Sequence, residues 1–237
     1  MSAIARAKTS RRRSDRAAVP PTRGPGRPPR LSRDGVVKSV VDLLGREPKE
    51  AVTIARVAAE VEASPAALYR HFDNLDDLLD SVLASVLTEV DAGVDVGDPW
   101  ERQLEEWMRG LRIQLLRVPA VITLIGRSGR TSPAWLNASS VLVEILERAG
   151  LTKRPLAITY LWILETTTGL VLQEAVLPVS EQLANARASR GSMSEHAATC
   201  FAAIGPALDE IDGDQFFSFV VEQAKEVVSS RSKRNRG

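Results

Sequence analysis

Residues 53–79, TIARVAAEVEASPAALYRHFDNLDDLL, constrain this chain more than any other stretch. They predict two short helices, a tight turn between them, and a third helix that anchors the pair. Thr53 is placed to cap a helix whose apolar positions Ile54, Val57, Ala58 and Val61 recur at helical spacing. Ser64-Pro65 then restarts the chain. The serine hydroxyl suits an N-cap, and proline suits the first helical position, where its missing N–H costs nothing. The second helix is expected over Pro65 to Phe72, with Leu68 and Phe72 inward and Ala66, Ala67, Tyr69, Arg70 and His71 outward. Two turns are too few to persist alone, so the flanking helices must hold them. A short braced helix showing an arginine, a tyrosine and two small residues is how a helix-turn-helix offers a recognition helix to the DNA major groove.

SPAALYRHFDNLDDLL resembles the signature of the TetR-type transcriptional regulators: a Ser-Pro entry, Leu-Tyr-x-His-Phe, then an Asn-capped helix with paired leucines. The resemblance is specific from Arg30 to Val90 and extends, more weakly, through a C-terminal half similar to the tetracycline-repressor subgroup. It implies phosphate and base contacts at Thr53, Arg56, Ser64, Ala66, Ala67, Tyr69, Arg70 and His71. Two positions depart from the family pattern. Glu62 stands in the turn where the family often has glycine, which predicts a strained or reshaped turn. Leu75 stands where a lysine often approaches a phosphate, so one backbone contact is expected to be lost.

Charge adds a second pointer to nucleic acid. The formal net charge is +1, yet residues 1–31 carry nine basic side chains and one acid, a net of +8, which leaves the remainder at −7. A basic arm ahead of an acidic body is drawn to a polyanion, and each phosphate neutralised releases counterions. Within the arm, Arg23, Arg27 and Arg30 sit among glycines and prolines in RGPGRPPR. Such arginines can lie in a narrow A·T-rich minor groove; a solubilising tail or linker is the alternative.

At 237 residues and 44% apolar, the chain can build one large core or two modest ones. Aromatic residues make up 5%, and strand-like alternation is scarce, so an all-α fold is expected. One cysteine, Cys200, excludes an intramolecular disulfide framework or a cysteine-rich zinc site. The longest apolar stretch, Leu156 to Val179, contains Glu165 and Glu174, which argues against a membrane span. The basic N-terminus has no apolar core behind it and does not read as a secretory signal, so a cytoplasmic protein is expected.

Four regions follow: a disordered basic arm over 1–30, a helix-turn-helix domain with its linking helix over 31–90, a helical effector-binding and dimerisation domain over 91–230, and a basic tail over 231–237. In the first domain, Ser32 caps a helix with Val36, Val37, Val40, Val41 and Leu44 inward, and Asn74 with Asp77 forms a capping box for the long fourth helix. In the second, helices are expected from Asp98-Pro99, Pro119, Ser132-Pro133 and Pro155. A polar loop over 180–192 follows, then a helix over Ser194 to Leu208 that Gly205-Pro206 breaks late, and a last helix over Asp214 to Ser229.

The long helix from Pro155 to Leu177 includes ETTTGLVLQEAVLP, apolar or small almost all round, so it must be covered on several sides. In the family this helix and the last one pair with their symmetry mates, which implies a homodimer. A dimer also doubles the readout of a recognition helix that alone spans too few base pairs. Trp107, Met108, Trp135, Tyr160 and Trp162 are candidates for an apolar effector cavity. Thr166, Thr167, Gln173, Arg109, Arg127 and Arg130 are its candidate polar anchors, with ordinary core packing the alternative for each aromatic. Gln173 aligns where the tetracycline repressors hold a metal-ligating glutamate, and no histidine is nearby, so no metal and no cofactor is expected. His196 is expected to be exposed and Cys200 to be buried packing.

The chain lacks a glycine-rich phosphate loop, metal-ligand spacing and a nucleophile with its base, so an enzyme is not expected. The expected partners are double-stranded operator DNA, a second copy of the chain and a small-molecule effector, with no membrane. The expected function is a ligand-responsive transcriptional regulator, a repressor released by its effector. A constitutive architectural DNA binder and an activator are the alternatives.

Overall fold

Hydroxyl side chains start five helices of this protein. In the computed structural model, which describes residues 31–47, 52–91, 95, 97–125 and 131–235, the Ser32, Thr53, Ser64, Ser132 and Ser194 oxygens each accept a backbone N–H from the first turn of the helix that follows. Each such cap contributes about 1 kcal/mol by satisfying a donor the helix leaves orphaned. The elements begun this way include α1 (Arg33–Leu44), α2 (Ile54–Glu60) and α3 (Pro65–Leu68), followed by α4 (Leu75–Asp91) and α5 (Trp100–Arg117). A 3-10 segment over Pro119–Leu124 precedes α6 (Pro133–Arg148) and α7 (Lys153–Val176). Then come α8 (Val179–Ala188), α9 (Glu195–Leu208) and α10 (Gly213–Asn235). The fold is all-α, with no strand among the described residues.

Helix ends follow local chemistry as closely as their starts. After α6, Gly150 adopts φ 92°, Leu151 N–H donates to the Leu146 carbonyl at 3.0 Å, and Gly150 N–H donates to Glu147 at 2.8 Å. This is a Schellman closure, and Leu146 and Leu151 are both fully buried beside it. Asn74 Oδ1 caps α4 by accepting from Asp77 N–H at 3.0 Å. The reciprocal half differs from a capping box: Asp77 Oδ2 accepts from Asp73 N–H, one residue before the cap.

The core is continuous. Val36, Val40 and Leu43 of α1 meet Leu78, Val82 and Leu83 of α4, which continues through Val86, Leu87 and Val90 into the packing of α5 and α6. Trp107, Leu111 and Leu115 from α5 and Leu142 and Ile145 from α6 join the same cluster. So do Ile163 and Val171 from α7 and Phe217, Val221 and Val228 from α10. α4 and α5 cross closely because of Gly110, where a Cβ would stand 3.3 Å from the Val90 carbonyl oxygen.

α7 is apolar on two faces, as its composition requires. Thr159, Ile163, Leu164, Thr167 and Val171 are buried. Ile158, Leu161, Trp162, Leu172 and Val176 are exposed along one face, with exposed Glu165 and open Gly169 between Trp162 and Leu172. By length and composition alone α7 could cross a membrane, contrary to the expectation that no segment approaches a span. Its buried face, however, is part of the protein core.

Four expectations are corrected here. Residues 180–192 are not a loop: they form α8 and a 3-10 turn over Ser189–Ser192. α8 has no buried residue, so it carries no hydrophobic period to betray it. α9 ends at Leu208 as expected but is not broken at Gly205-Pro206, because Pro206 lies in its last turn. α10 continues beyond Ser229 to Asn235, with Val228 and Ser232 still buried. Cys200 is exposed rather than packed, on a helix whose apolar residues Phe201 and Ile204 also face outward.

Candidate nucleic-acid interface

α2 and α3 are too short to be independent and are held from beneath. Val57 and Ala58 of α2, Leu68 of α3 and Phe72 beyond it are buried in the cluster that α1 and α4 supply. Regular helix ends at Leu68, earlier than the expected Phe72, but helical bonding continues. Tyr69 N–H reaches the Pro65 carbonyl at 3.1 Å, and His71 and Phe72 N–H both reach Leu68, at 2.8 and 3.0 Å. The turn between α2 and α3 passes through Glu62 at φ 50°, the left-handed region that disfavours a side chain. The expected strain is therefore present.

On this support the outward residues are Thr53, Ser64, Ala66, Tyr69 and Arg70, with Tyr69 54% exposed and His71 half-buried. Ala67, expected to point outward, is instead 9% exposed. The two arginines of the motif differ. Arg70 has no ion-pair partner among the described residues. Arg56 donates to Glu47 Oε1 at 2.8 Å and pairs with Glu60 Oε2 at 2.9 Å, which raises its pKa above the ordinary value. Glu60 is lowered in return, first by Arg46 and then by Arg56. Arg56 is thus ion-paired on both sides, and Arg70 is exposed without an ion pair among the described residues. Arg23, Arg27 and Arg30 lie outside the described residues.

Arg33, which no local motif marks, ties the probe to its frame. From the first turn of α1 it donates to Asp77 Oδ1 and Ser81 Oγ, each at 2.7 Å, and to the His71 carbonyl. Its guanidinium lies 4.4 Å from the centre of the Phe72 ring. Burial pushes the Asp77 pKa up, but the hydrogen bonds from Arg33 and the Asp73 amide outweigh it and hold the carboxyl below its ordinary value. One side chain therefore fixes the end of the recognition segment against both α1 and α4.

The expected effector residues do not gather in one place. Trp107, Met108 and Trp135 are buried in the packed core, and Trp107 Nε1 donates to the Ala138 carbonyl at 3.3 Å, joining α5 to α6. Tyr160 is bound to Ser139 at 3.0 Å, and Arg109 to Glu105 and Ser218. Trp162 lies on the outer stripe of α7 and Thr166 beside it, half-buried. Arg127 and Arg130 lie outside the described residues. Gln173 alone of these reaches a cleft, of about 310 Å³, walled by α7, α8, the end of α9 and α10. These separations reflect the helical wheel: positions 162, 166 and 173 leave α7 in different directions from those that meet α5.

Residues 39–82 match the family model described as bacterial regulatory proteins, tetR family, and residues 95–223 match that of the tetracyclin repressor-like C-terminal domain. Among solved structures, apo ActR from Streptomyces coelicolor is 23% identical, with a TM-score of 0.69 over 86% of this chain and 97% of that one. ActR in complex with actinorhodin is 22% identical, with a TM-score of 0.67 over 84% and 96%. A further TetR transcriptional regulator from Streptomyces coelicolor is 16% identical, with a TM-score of 0.75 over 85% and 99%. The curated proteins compared with the chain offer no match.

Proposed function

The chain belongs to the tetR family of bacterial regulatory proteins, and from that membership we propose that it is a homodimeric repressor released from operator DNA by a small molecule. The observation that carries the reading is the outward face of Ala66, Tyr69 and unpaired Arg70 on a helix-turn-helix braced by Arg33. Arg70 is the base-reading side chain, because a free guanidinium can pair with two acceptors on a guanine edge in the major groove. Tyr69, Thr53, Ser64 and His71 position the motif on phosphates, and Ala66 allows close approach. The arm adds Arg23, Arg27 and Arg30 to the sugar-phosphate contacts or the minor groove.

Dimerisation is supported by the exposed stripe of α7 together with Phe216 and Phe219 of α10, apolar surface that a lone chain would leave in water. The domain division follows the same logic: residues 31–90 read DNA, and residues 91–230 bind effector and partner. Ligand response is supported by ActR, which has been solved with actinorhodin, and by the cleft that Gln173 reaches. The site of action is the cytoplasm, where operator DNA lies, and no catalytic step is involved.

Selecting random DNA fragments with the purified chain tests this reading. The expected result is a two-fold symmetric consensus whose binding Arg70→Ala weakens and whose complex an added compound dissolves. Affinity that depends on salt but is indifferent to sequence would instead favour an architectural binder.

A further inference from the structure

The cleft at the far end of α7 has a character that composition does not suggest. Leu170, Val179, Leu183, Ile211, Phe216 and Phe217 give it apolar walls, and three polar residues, Gln173, Glu174 and Gln182, interrupt them. Its volume of about 310 Å³ is at the small end of drug-sized ligand sites, which are mostly apolar with a few placed polar groups. Gln182 is occupied, donating to the Leu177 carbonyl at 2.7 Å. The Gln173 side chain has no partner among the described residues.

Charge at this site is unequal. Arg112 of α5 donates to Glu174 Oε1 at 2.6 Å and Oε2 at 2.8 Å, and to Asp214 Oδ1 at 2.7 Å. Two carboxylates share one guanidinium, so the cluster keeps a unit of negative charge. Asp214 is 83% exposed and screened by water, whereas Glu174 is 19% exposed. Glu174 lines the cleft and Arg112 does not, so a molecule entering between the apolar walls meets the carboxylate. The Arg112 guanidinium already lies 4.8 Å from the centre of the Phe217 ring, which leaves Phe216, 39% exposed, as the aromatic wall open to a cation.

We propose that this cleft binds a compact apolar cation, with Glu174 as its charge partner and Gln173 at its mouth. The assignment rests on the ligand-responsive regulator proposed above and gives that response a place and a chemistry. The walls belong to α7, α8, the last residue of α9 and α10, and Arg112 clamps α5 to α7 through Glu174, the carboxylate the ligand would meet, and to α10 through Asp214. Filling the cleft therefore acts on the two helices proposed to carry the dimer contact. A ligand that binds one arrangement of those helices better than another shifts the balance between them.

Tetraphenylphosphonium and tetraphenylborate, ions of nearly the same shape and opposite charge, test the assignment by titration calorimetry on the full chain. The expected result is at least tenfold tighter binding of the phosphonium. Gln173→Lys, an exposed change that leaves the Arg112 clamp intact, should reverse that preference. Leu183→Trp, which fills the cleft from α8, should weaken the phosphonium at least tenfold. No measurable phosphonium binding, equal affinity for the two ions, or full affinity in Leu183→Trp would each overturn the proposal. DNA release separates it from the regulator reading. Phosphonium binding that obeys both variants but leaves DNA bound upholds the cleft and counts against ligand response. Release that ignores both variants upholds ligand response and removes the cleft.

Discussion

Arg56 and Arg70 carry the same charge into different surroundings. Arg56 is held between Glu47 and Glu60, and Arg70 stands in solvent at the end of the recognition segment. Exchanging Arg70 for alanine should weaken binding to a selected DNA fragment at least tenfold, within the ~1–3 kcal/mol of a good bidentate base contact. Arg56→Ala should lower the melting temperature while changing affinity far less. Anisotropy titrations at fixed salt, beside thermal melts, would show it; unchanged affinity for Arg70→Ala would take that residue out of the readout. Glu62 offers a second test. A side chain at φ 50° costs roughly 1–2 kcal/mol, and glycine gives back about half of that in unfolded-chain entropy. Glu62→Gly should therefore stabilise the protein by about 0.5–1 kcal/mol in urea unfolding, and no gain would mean that the turn carries no strain.

At the level of elements, legibility tracks how local the cause is. Ser32, Thr53, Ser64, Ser132 and Ser194 announce their helices because a cap needs only the next two or three residues. The Glu62 turn is readable for the same reason. α8 is not, since a helix with nothing buried has no period, and the inward place of Ala67 depends on packing that one turn of helix does not encode. Arg33 and the cleft at Glu174 are invisible for a different cause: their partners lie far along the chain. The Arg33–Asp77 tie has a pH signature. Because folding lowers the Asp77 pKa below its ordinary value of 3.8, the tie contributes fully above that pH. The contribution fades as pH falls through the depressed folded value. Asp77→Asn should lower stability at neutral pH and make the unfolding free energy less steep below about pH 4. An unaltered acid slope in denaturant titrations would dismiss the tie as a stabilising contact.

On the scale of the whole molecule, the outer stripe of α7 and the basic arm set two expectations. Sedimentation without DNA should show a dimer, and Leu161→Glu, which places a charge in the middle of that stripe, should give monomers at micromolar concentration. A monomeric unaltered chain would overturn the interface. Removing residues 1–29 should lower DNA affinity and flatten its dependence on salt, because seven arginines and a lysine go with them. An identical slope would make the arm a passive tail. The continuous core has its own outcome. α4 lends one side to Val36 and Val40 and another to α5 and α6, so neither neighbour keeps a finished interior once that helix lets go. Heating should accordingly melt the helix-turn-helix and the helices after it as one calorimetric event, and a head excised at residue 90 should collapse rather than persist in miniature.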